Sequence, residues 1–397
     1  MSSNIKAANG GKSILSSIKD YSMFIMLALI MIIFAFLTEN KFVNLTSRNI
    51  TNIFLQNSYV LLLAIGMVQV IIIGGIDLSV GSVCAFTGAI GAMVYNAGFG
   101  MGPAVIVSIL IGIAIGAFQG AWVAYLKIPA FIVTLAGMLL FRGLTYIITN
   151  VTPITPTGNS YRDLAIGMVE IPGLEIGGVY YTPLFIGALV CVVFIVSEFI
   201  SRSRKIKNGT AVASLFLFIL KLLVISALVL VLCQRFATYR GLPKIVVLLV
   251  ACIFIFNFMM KNTILGRFIY AVGGNARSAK LSGINSELIT FIVFCIMGGL
   301  SGLAGVVFTG YMNSALPQSG QMFEMDAIAA CYIGGVSASG GIGTVIGVIV
   351  GGLVMAAINN GMMLMNIGTN WQYVVKAAIL LLAVFYDVYS RRKSGLG

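Results

Sequence analysis

The chain has 397 residues, of which 59% are hydrophobic and 9% are charged. Soluble domains carry about 25% charged residues, so this composition excludes a soluble protein and indicates a polytopic membrane protein. Spans of about 20 residues leave room for ten to twelve helices. The net charge is +13, but no stretch combines basic residues with exposed aromatic residues, which argues against nucleic acid as a partner.

Twelve apolar runs predict an all-α protein whose residues 1–397 form a single transmembrane domain in the lipid bilayer. Lys6, Lys12 and Lys19 precede the first run, and no small-residue cleavage site follows it, so we expect an uncleaved first span. Glycines interrupt the third and the tenth run. The runs fall at 21–38, 53–73, 78–98, 104–126, 130–150, 183–200, 212–234, 243–260, 288–309, 326–340, 342–366 and 371–389.

Twelve spans return the C-terminus to the side on which the chain began. With both termini in the cytoplasm, fifteen Lys and Arg residues lie in cytoplasmic segments and six in external ones. This asymmetry is typical of proteins of the bacterial cytoplasmic (inner) membrane. Arg235, Arg240 and Lys244 fall on the external side and are the weak point of this topology.

A polar, glycine-rich segment opens the third run, with Gly74 and Gly75 followed by Asp77 and Ser79. A carboxylate is costly to bury in lipid, so Asp77 should face protein or a water-filled cavity. The same pattern of isoleucine, two glycines and a later serine returns at 333–339. Two glycine-broken membrane segments in corresponding halves of a chain point to a transport pathway.

Polar residues within apolar runs are the candidates for lining such a pathway. For the amides, hydrogen bonding between helices is the alternative. For Asp77 the alternative is capping of the helix that follows it. The candidates are Asn57, Gln69, Asp77, Ser79, Gln119, Asp326, Asn359 and Asn360.

Two sets of glycines repeat every four residues, at Gly112, Gly116 and Gly120 and at Gly343, Gly347 and Gly351. This spacing places a smooth stripe on one helix face, where a second backbone can approach closely.

The segment 151–182 contains three prolines and the acidic residues Asp163, Glu170 and Glu175. It predicts an external loop with a short surface helix or a pair of turns. A loop of this length either receives a partner or only connects two spans.

The segment 261–287 is too polar to span the membrane, and we expect it to be a cytoplasmic loop. Asn275 is suited to cap a short helix that ends at Gly283. Ala276, Ala279 and Gly283 would give this helix a flat face for docking another protein. The alternative is an ordinary basic cytoplasmic loop.

At this segment the sequence resembles a known family. The pattern Gly-Arg-x-x-Tyr-Ala-x-Gly-Gly-Asn that begins at Gly266 resembles the coupling-loop signature of monosaccharide ABC importer permeases of the ribose, galactose and xylose group. Three further motifs, at 76–82, 129–143 and 326–335, resemble the same family in the same order.

The resemblance implies a homodimer served by a cytoplasmic ABC ATPase, which binds ATP and Mg²⁺, and by an external sugar-binding protein. The chain itself has no Gly-x-x-x-x-Gly-Lys loop for phosphates, and we expect no cofactor or metal in it. The ATPase is expected to couple at Gly273, Gly274, Asn275, Ala279, Ser282 and Gly283.

The family core has ten spans, and the chain carries an insertion at 201–245 that we interpret as an added pair of crossings. In this it is similar to the longer xylose-type and multiple-monosaccharide permeases. The sequence does not name the sugar.

Two other functions remain open. An ion-coupled secondary transporter needs titratable groups in the membrane, and the chain has few buried acids and no histidine. A membrane-embedded enzyme needs a cluster of His, Asp or Glu, which the sequence does not contain. The six cysteines lie far apart in apolar runs and are expected to be buried hydrophobes.

Overall fold

The computed structural model describes residues 14–38, 43–169, 171, 173–209 and 214–393. Lys6 and Lys12, which support a cytoplasmic N-terminus, and Glu170 of the external loop lie outside these residues. The described chain is helical almost throughout, as the composition predicts. Its helices are α1 (Ile14–Leu37), α2 (Ser47–Ile72), α3 (Val80–Val94), α4 (Met101–Ala124), α5 (Ala130–Thr149), α6 (Asn159–Ile166), α7 (Thr182–Lys207), α8 (Leu215–Ala237), α9 (Lys244–Asn262), α10 (Ile264–Leu281), α11 (Ser286–Met312), α12 (Phe323–Ile333), α13 (Val345–Leu364) and α14 (Thr369–Lys393).

Short elements complete the described chain. A 3₁₀ turn covers Val43–Leu45, and a π turn, Tyr95–Phe99, extends α3. The strands have two residues each: β1 (Met168–Val169), β2 (Glu175–Ile176), β3 (Val179–Tyr180) and β4 (Leu242–Pro243). Strands β2 and β3 pair antiparallel. The helix α6 and the β2–β3 hairpin confirm the surface helix and turns expected within 151–182.

Nine described helices are long and apolar enough to span a membrane: α2, α3 with its π turn, α4, α5, α7, α8, α9, α11 and α13. Two shorter apolar stretches, Met23–Leu37 and Thr369–Phe385, belong to α1 and α14. The predicted span at 326–340 differs from the structure. Here α12 has 11 residues and rises about 16 Å, about half of the hydrocarbon thickness.

The described residues divide into two compact units: one holds those up to residue 25 and those within 169–242, and the other holds those within 26–168 and from 243 onwards. In the first unit α7 and α8 pack together. Lys221 Nζ lies 2.7 Å from a Glu198 carboxylate oxygen, and the Arg202 guanidinium lies 4.7 Å from the centre of the Phe218 ring. The described part of the 201–245 insertion therefore contributes one long apolar helix, α8, whose partner is α7.

In the second unit, glycines bring α4 and α11 into backbone contact. A Cβ built on Gly112 would lie 2.2 Å from the carbonyl oxygen of Gly298, and one on Gly298 would lie 2.1 Å from that of Gly112. Gly116 meets the backbone of Phe294 in the same way. The close approach predicted for the first glycine series is confirmed.

The second glycine series is confirmed only in part. Gly351 of α13 meets the carbonyl oxygen of Ala330 in α12, and Gly347 contacts Gly334. Gly343 precedes α13 and lies in non-helical chain, so it is not part of the helix face.

The core of the second unit is built around α2, which packs against α11, α12 and α13. Residues 60–72 of α2 are buried almost without interruption. Asn49 and Asn360 exchange two amide hydrogen bonds, of 2.7 and 3.0 Å, and so join α2 to α13. This pairing satisfies both amides and explains Asn360 as an interhelical contact.

We expect Gly112→Ala to lower the melting temperature of the purified protein in detergent. Its Cβ would meet a backbone oxygen on α11, and such overpacking costs about 1–3 kcal/mol. The control is Gly102→Ala on the same helix, where no described atom lies within 4 Å of the added Cβ. Equal melting temperatures of the two variants would contradict the close packing of α4 on α11.

Candidate functional site

The loop after α2 begins with a tight helix end. Gly74 has a φ of 84°, a left-handed conformation that glycine adopts without strain. The N–H of Gly75 donates to the carbonyl oxygen of Val70. Together these features form a glycine-terminated helix end of the Schellman type.

The loop after α12 ends its helix in the same way. Gly335 has a φ of 78°, and the N–H of Val336 donates to the carbonyl oxygen of Cys331. The repeat seen in the sequence is therefore also a repeat of backbone conformation. Gly74 corresponds to Gly335 in this comparison, one residue away from the alignment of the sequence letters.

Each loop then makes a polar turn. Asp77 Oδ1 accepts hydrogen bonds from the Ser79 N–H at 2.8 Å and from the Ser79 hydroxyl at 2.6 Å. In the second loop the Ser339 N–H donates to Ser337 Oγ at 3.1 Å, and the two hydroxyls lie 2.9 Å apart. In this part of the loops Asp77 corresponds to Ser337, as in the sequence alignment.

Asp77, Ser79 and Gln119 form one buried hydrogen-bonded group. Asp77 is 3% exposed, and Gln119 Nε2 donates to Ser79 Oγ at 2.9 Å. The Asp77 carboxylate therefore braces the turn that leads into α3. A role for Asp77 in the pathway stays a prediction.

The first turn of α3 meets the segment that leads into α12. A Cβ on Gly81 would lie 2.0 Å from the carbonyl oxygen of Gly320, and one on Gly320 would lie 1.9 Å from that of Gly81. The Arg142 guanidinium donates to the carbonyl oxygen of Ser319. Arg142 lies in the middle part of α5, so this contact is beside the middle of a candidate membrane span.

We call the group of Gly81, Arg142, Ser319, Gly320 and Glu324 the broken-helix junction. Glu324 is 7% exposed, and its Oε2 lies 2.7 Å from the Cβ position of Gly81. Among the described residues, neither Glu324 Oε2 nor Ser319 Oγ has a hydrogen-bond partner.

Asp326 lies two residues beyond Glu324 and makes an ion pair with α14. Lys376 Nζ lies 2.9 Å from Asp326 Oδ2, and both side chains are mostly buried. Asp326 Oδ1 has no partner in the described part of the chain. The ion pair fixes the half-length helix α12 to α14.

The remaining predicted pathway residues do not join this group by hydrogen bonds. Asn57 Nδ2 donates to the carbonyl oxygen of Ile53 at 2.9 Å, and Gln69 Nε2 donates to that of Ile65 at 3.1 Å. Both bonds stay within α2. Within the described chain, Gln69 Oε1 and Asn359 Oδ1 are buried without partners.

The predicted coupling segment forms α10, which breaks at Asn275, where φ is −161° and ψ is 100°. Asn275 Oδ1 accepts from the Ser278 N–H at 2.9 Å, and Gly283 ends the turn with a φ of 85°. The predicted cap and stop are confirmed.

The surface of this segment differs from the expected flat face. Gly274, Ser282 and Gly283 are exposed, but Ala279 is 5% exposed and packs into the core. Leu281 is 85% exposed. Ala279 therefore positions the helix, and the surface offered to a partner includes an apolar side chain instead.

Helix α10 touches both glycine-rich loops at Gly273. A Cβ there would lie 1.9 Å from the carbonyl oxygen of Ile72 and 2.9 Å from the backbone nitrogen of Gly341. The Gly341 N–H itself donates to the Ile72 carbonyl oxygen at 2.8 Å. The three segments thus share one backbone contact.

Tyr270 adds a second link from α10 to the loop before α13. Its hydroxyl donates to the carbonyl oxygen of Gly343 at 2.7 Å. Burial raises the pKa of Tyr270, which keeps this hydroxyl protonated as the donor.

Sequence reasoning missed Arg142, Glu324, Lys376 and Leu281. Arg142 and Lys376 were visible as charges inside apolar runs, where an ionisable residue indicates a partner in the interior. Glu324 stands at the edge of such a run, and the sequence places nothing beside it. Leu281 follows Lys280 in a mostly polar segment, and only its exposure distinguishes it.

Comparisons with known proteins agree on one class. Residues 49–384 match the family model described as branched-chain amino acid transport system / permease component. The xylose transport system permease protein of Escherichia coli K12 is 39% identical over 390 residues, which cover 97% of this chain and 96% of the relative. The ribose import permease protein of the same strain is 34% identical over 366 residues, 92% of each chain.

A xylose transport system permease protein from Haemophilus influenzae is 38% identical over 378 residues, which cover 95% of this chain and 98% of the relative. None of the solved structures matches the chain.

We expect Gly273→Ala to destabilise the protein and Gly274→Ala to leave its melting temperature unchanged. The added methyl group at position 273 would collide with backbone atoms of two loops, which a rotamer change does not relieve. At Gly274 no described atom lies within 4 Å of the added Cβ. Thermal unfolding of both purified variants tests this, and a stable Gly273→Ala would show that α10 does not press on the loops.

Proposed function

Because the chain belongs to the family of permease components described for branched-chain amino acid transport systems, we propose that it is the membrane subunit of an ATP-driven monosaccharide importer. It is a multi-pass protein of the bacterial cytoplasmic membrane and not an enzyme. The observation that carries the choice of solute is the near full-length similarity to a xylose permease and a ribose permease.

A pentose is the solute class that these relatives support, although the description of the family names branched-chain amino acids. The two classes differ in chemistry. An amino acid carries two opposite charges, whereas a sugar is neutral and carries several hydroxyl groups. Direct measurement of uptake decides between them.

We further propose that a cytoplasmic ABC ATPase binds ATP and Mg²⁺ and docks on α10. The docking surface consists of the exposed positions Gly274, Asn275, Leu281, Ser282 and Gly283. Support comes from the contact of Gly273 with both glycine-rich loops, which gives a push on α10 a direct route into the membrane domain. The chain itself would hold no cofactor.

On the external side we propose that a sugar-binding protein docks on the segment 151–182, and that two copies of the chain form a homodimer. In the second unit, the described part of that segment offers helix α6, on which Arg162 and Asp163 are exposed. Lys244 pairs with Asp163 of α6 and steadies that helix on α9.

Reconstituted uptake tests the function. We expect liposomes that contain the chain and its co-purified ATPase to take up radiolabelled xylose or ribose. Uptake should require ATP on the side of the membrane that carries the ATPase, and the binding protein on the opposite side. Leucine should not accumulate. A protonophore should have no effect, because the energy comes from ATP.

Uptake by the isolated chain that a protonophore abolishes would establish the ion-coupled transporter instead. ATP-dependent uptake of leucine rather than of a pentose would overturn the solute class but not the ATP-driven importer.

We expect Leu281→Asp to reduce co-purification of the ATPase and to leave the melting temperature of the chain unchanged, because Leu281 is almost fully exposed. Loss of one buried apolar anchor at an interface costs roughly 2 kcal/mol or more, a drop in affinity of about thirtyfold. Ile206→Asp, at an exposed position of α7, is the control. Unaltered co-purification with Leu281→Asp would remove this residue from the docking surface.

A further inference from the structure

One face of α5 is open, and a charge lies beside it. Leu139 and Ile147 are 66% and 69% exposed, Gly143 lies between them, and all three share a helix face by their spacing of four. Arg142 is next to this stripe and is only half-buried. A guanidinium near mid-span is not stable against lipid, so this part of α5 borders water or protein.

Beside Arg142 the broken-helix junction holds polar atoms that lack partners. Glu324 and Ser319 are 7% and 8% exposed. Within the described residues Glu324 Oε2 and Ser319 Oγ make no hydrogen bond. Leaving a polar group buried and unpaired costs roughly 1–3 kcal/mol, so these atoms call for a ligand that satisfies them.

The junction holds one guanidinium and one carboxylate, which together suit a ligand without net charge, such as a polyol. A cation would be repelled by Arg142 and by the positive ends of α3 and α12, which begin beside the junction. The same positive groups attract an anion, and the Glu324 carboxylate opposes that attraction. A polyol both donates to a carboxylate and accepts from a guanidinium, and carries no net charge.

We propose that the broken-helix junction is a sugar-binding site within the translocation pathway. The sugar enters it from the α5 face of Leu139, Gly143 and Ile147. Sugar hydroxyls donate to Glu324 and exchange hydrogen bonds with Ser319, and Arg142 donates to sugar oxygens. The proposal rests on the proposed function and adds the residues that hold the sugar in transit.

The junction also has a means of closing. In this structure Arg142 donates to the Ser319 carbonyl oxygen, and the backbones of Gly81 and Gly320 touch. A sugar can enter only when α3 and α12 separate and Arg142 turns from Ser319 towards the ligand. Glycine at both positions allows the backbones to close again without a side chain between them.

The first test asks whether the exposed face of α5 is accessible to water. Gly143→Cys places a thiol where no described atom lies within 4 Å of the Cβ. Leu189→Cys, at an exposed position of the apolar helix α7, is the control, and the unaltered protein with its six native cysteines is the blank. We expect a charged, water-soluble methanethiosulfonate reagent to label Gly143→Cys and not Leu189→Cys. Equal, slow labelling of both variants would overturn the proposal.

The second test asks whether sugar reaches the junction. We expect millimolar xylose or ribose to slow labelling of Gly143→Cys several-fold, with leucine as the inactive control solute. Adding Glu324→Gln should abolish this protection while labelling without sugar persists, because the side-chain amide keeps the size of the carboxyl group but alters its hydrogen bonding. The junction would have only a structural role if the sugar still protected the Glu324→Gln variant, or if it did not protect Gly143→Cys with Glu324 intact.

Melting temperatures of the variants exclude unfolding, and Glu324→Asp serves as a second variant if Glu324→Gln does not fold. Uptake by the unaltered complex is measured in parallel. ATP-dependent pentose uptake without sugar protection at Gly143→Cys would overturn the sugar-binding site and leave the proposed function intact. Absence of pentose uptake would overturn the proposed function.

Discussion

Backbone that leaves the helix inside a membrane must find its hydrogen bonds within the protein, because lipid offers none. The second unit meets this constraint at both of its glycine-rich loops. At the start of each loop a backbone N–H donates to a carbonyl oxygen of the preceding helix. The Gly341 N–H of the second loop donates to the carbonyl oxygen of Ile72, where the first loop begins. The loops therefore support each other. Burial of α2, the shortness of α12 and the packing of Gly273 all follow from keeping these two breaks together.

The two breaks connect the cytoplasmic segment to the interior. Gly273 and Tyr270 of α10 contact the loops through backbone oxygens and nitrogens. Gly81, in the first turn of α3, meets Gly320, which lies three residues before α12. The first loop begins at Ile72, beside α10, and leads to Gly81 at the broken-helix junction. The second loop contacts α10 at Gly341, and α12 joins it to the junction. A shift of α10 would press on the backbone of both loops, and α12, with 11 residues, is the shortest helix attached to them.

The sequence allowed prediction of features that depend on local chemistry or on periodicity. This class includes the helix capped by Asn275, the close packing at Gly112 and the repeated glycine pattern of the two loops. Each of these features is visible from neighbouring residues or from a repeated pattern in the sequence. The inward side of Ala279 and the half-length of α12 were not predictable. They depend on where Gly334 and Gly335 stop a helix and on which neighbours fill the space. The meeting of Arg142 with Ser319, 177 positions apart, has no trace in local pattern.

The ion pair of Asp326 with Lys376 has a consequence for how the protein is made. Helix α12 is too short to span, and it brings two carboxyl groups, each costing about 3 kcal/mol at mid-membrane on insertion scales. Its countercharge is Lys376 on α14, which the ribosome adds 50 residues after Asp326. The segment cannot settle at its final depth when it first leaves the translocon. Synthesis of α14 must precede the seating of α12, so the innermost part of the transport domain is among the last to be assembled.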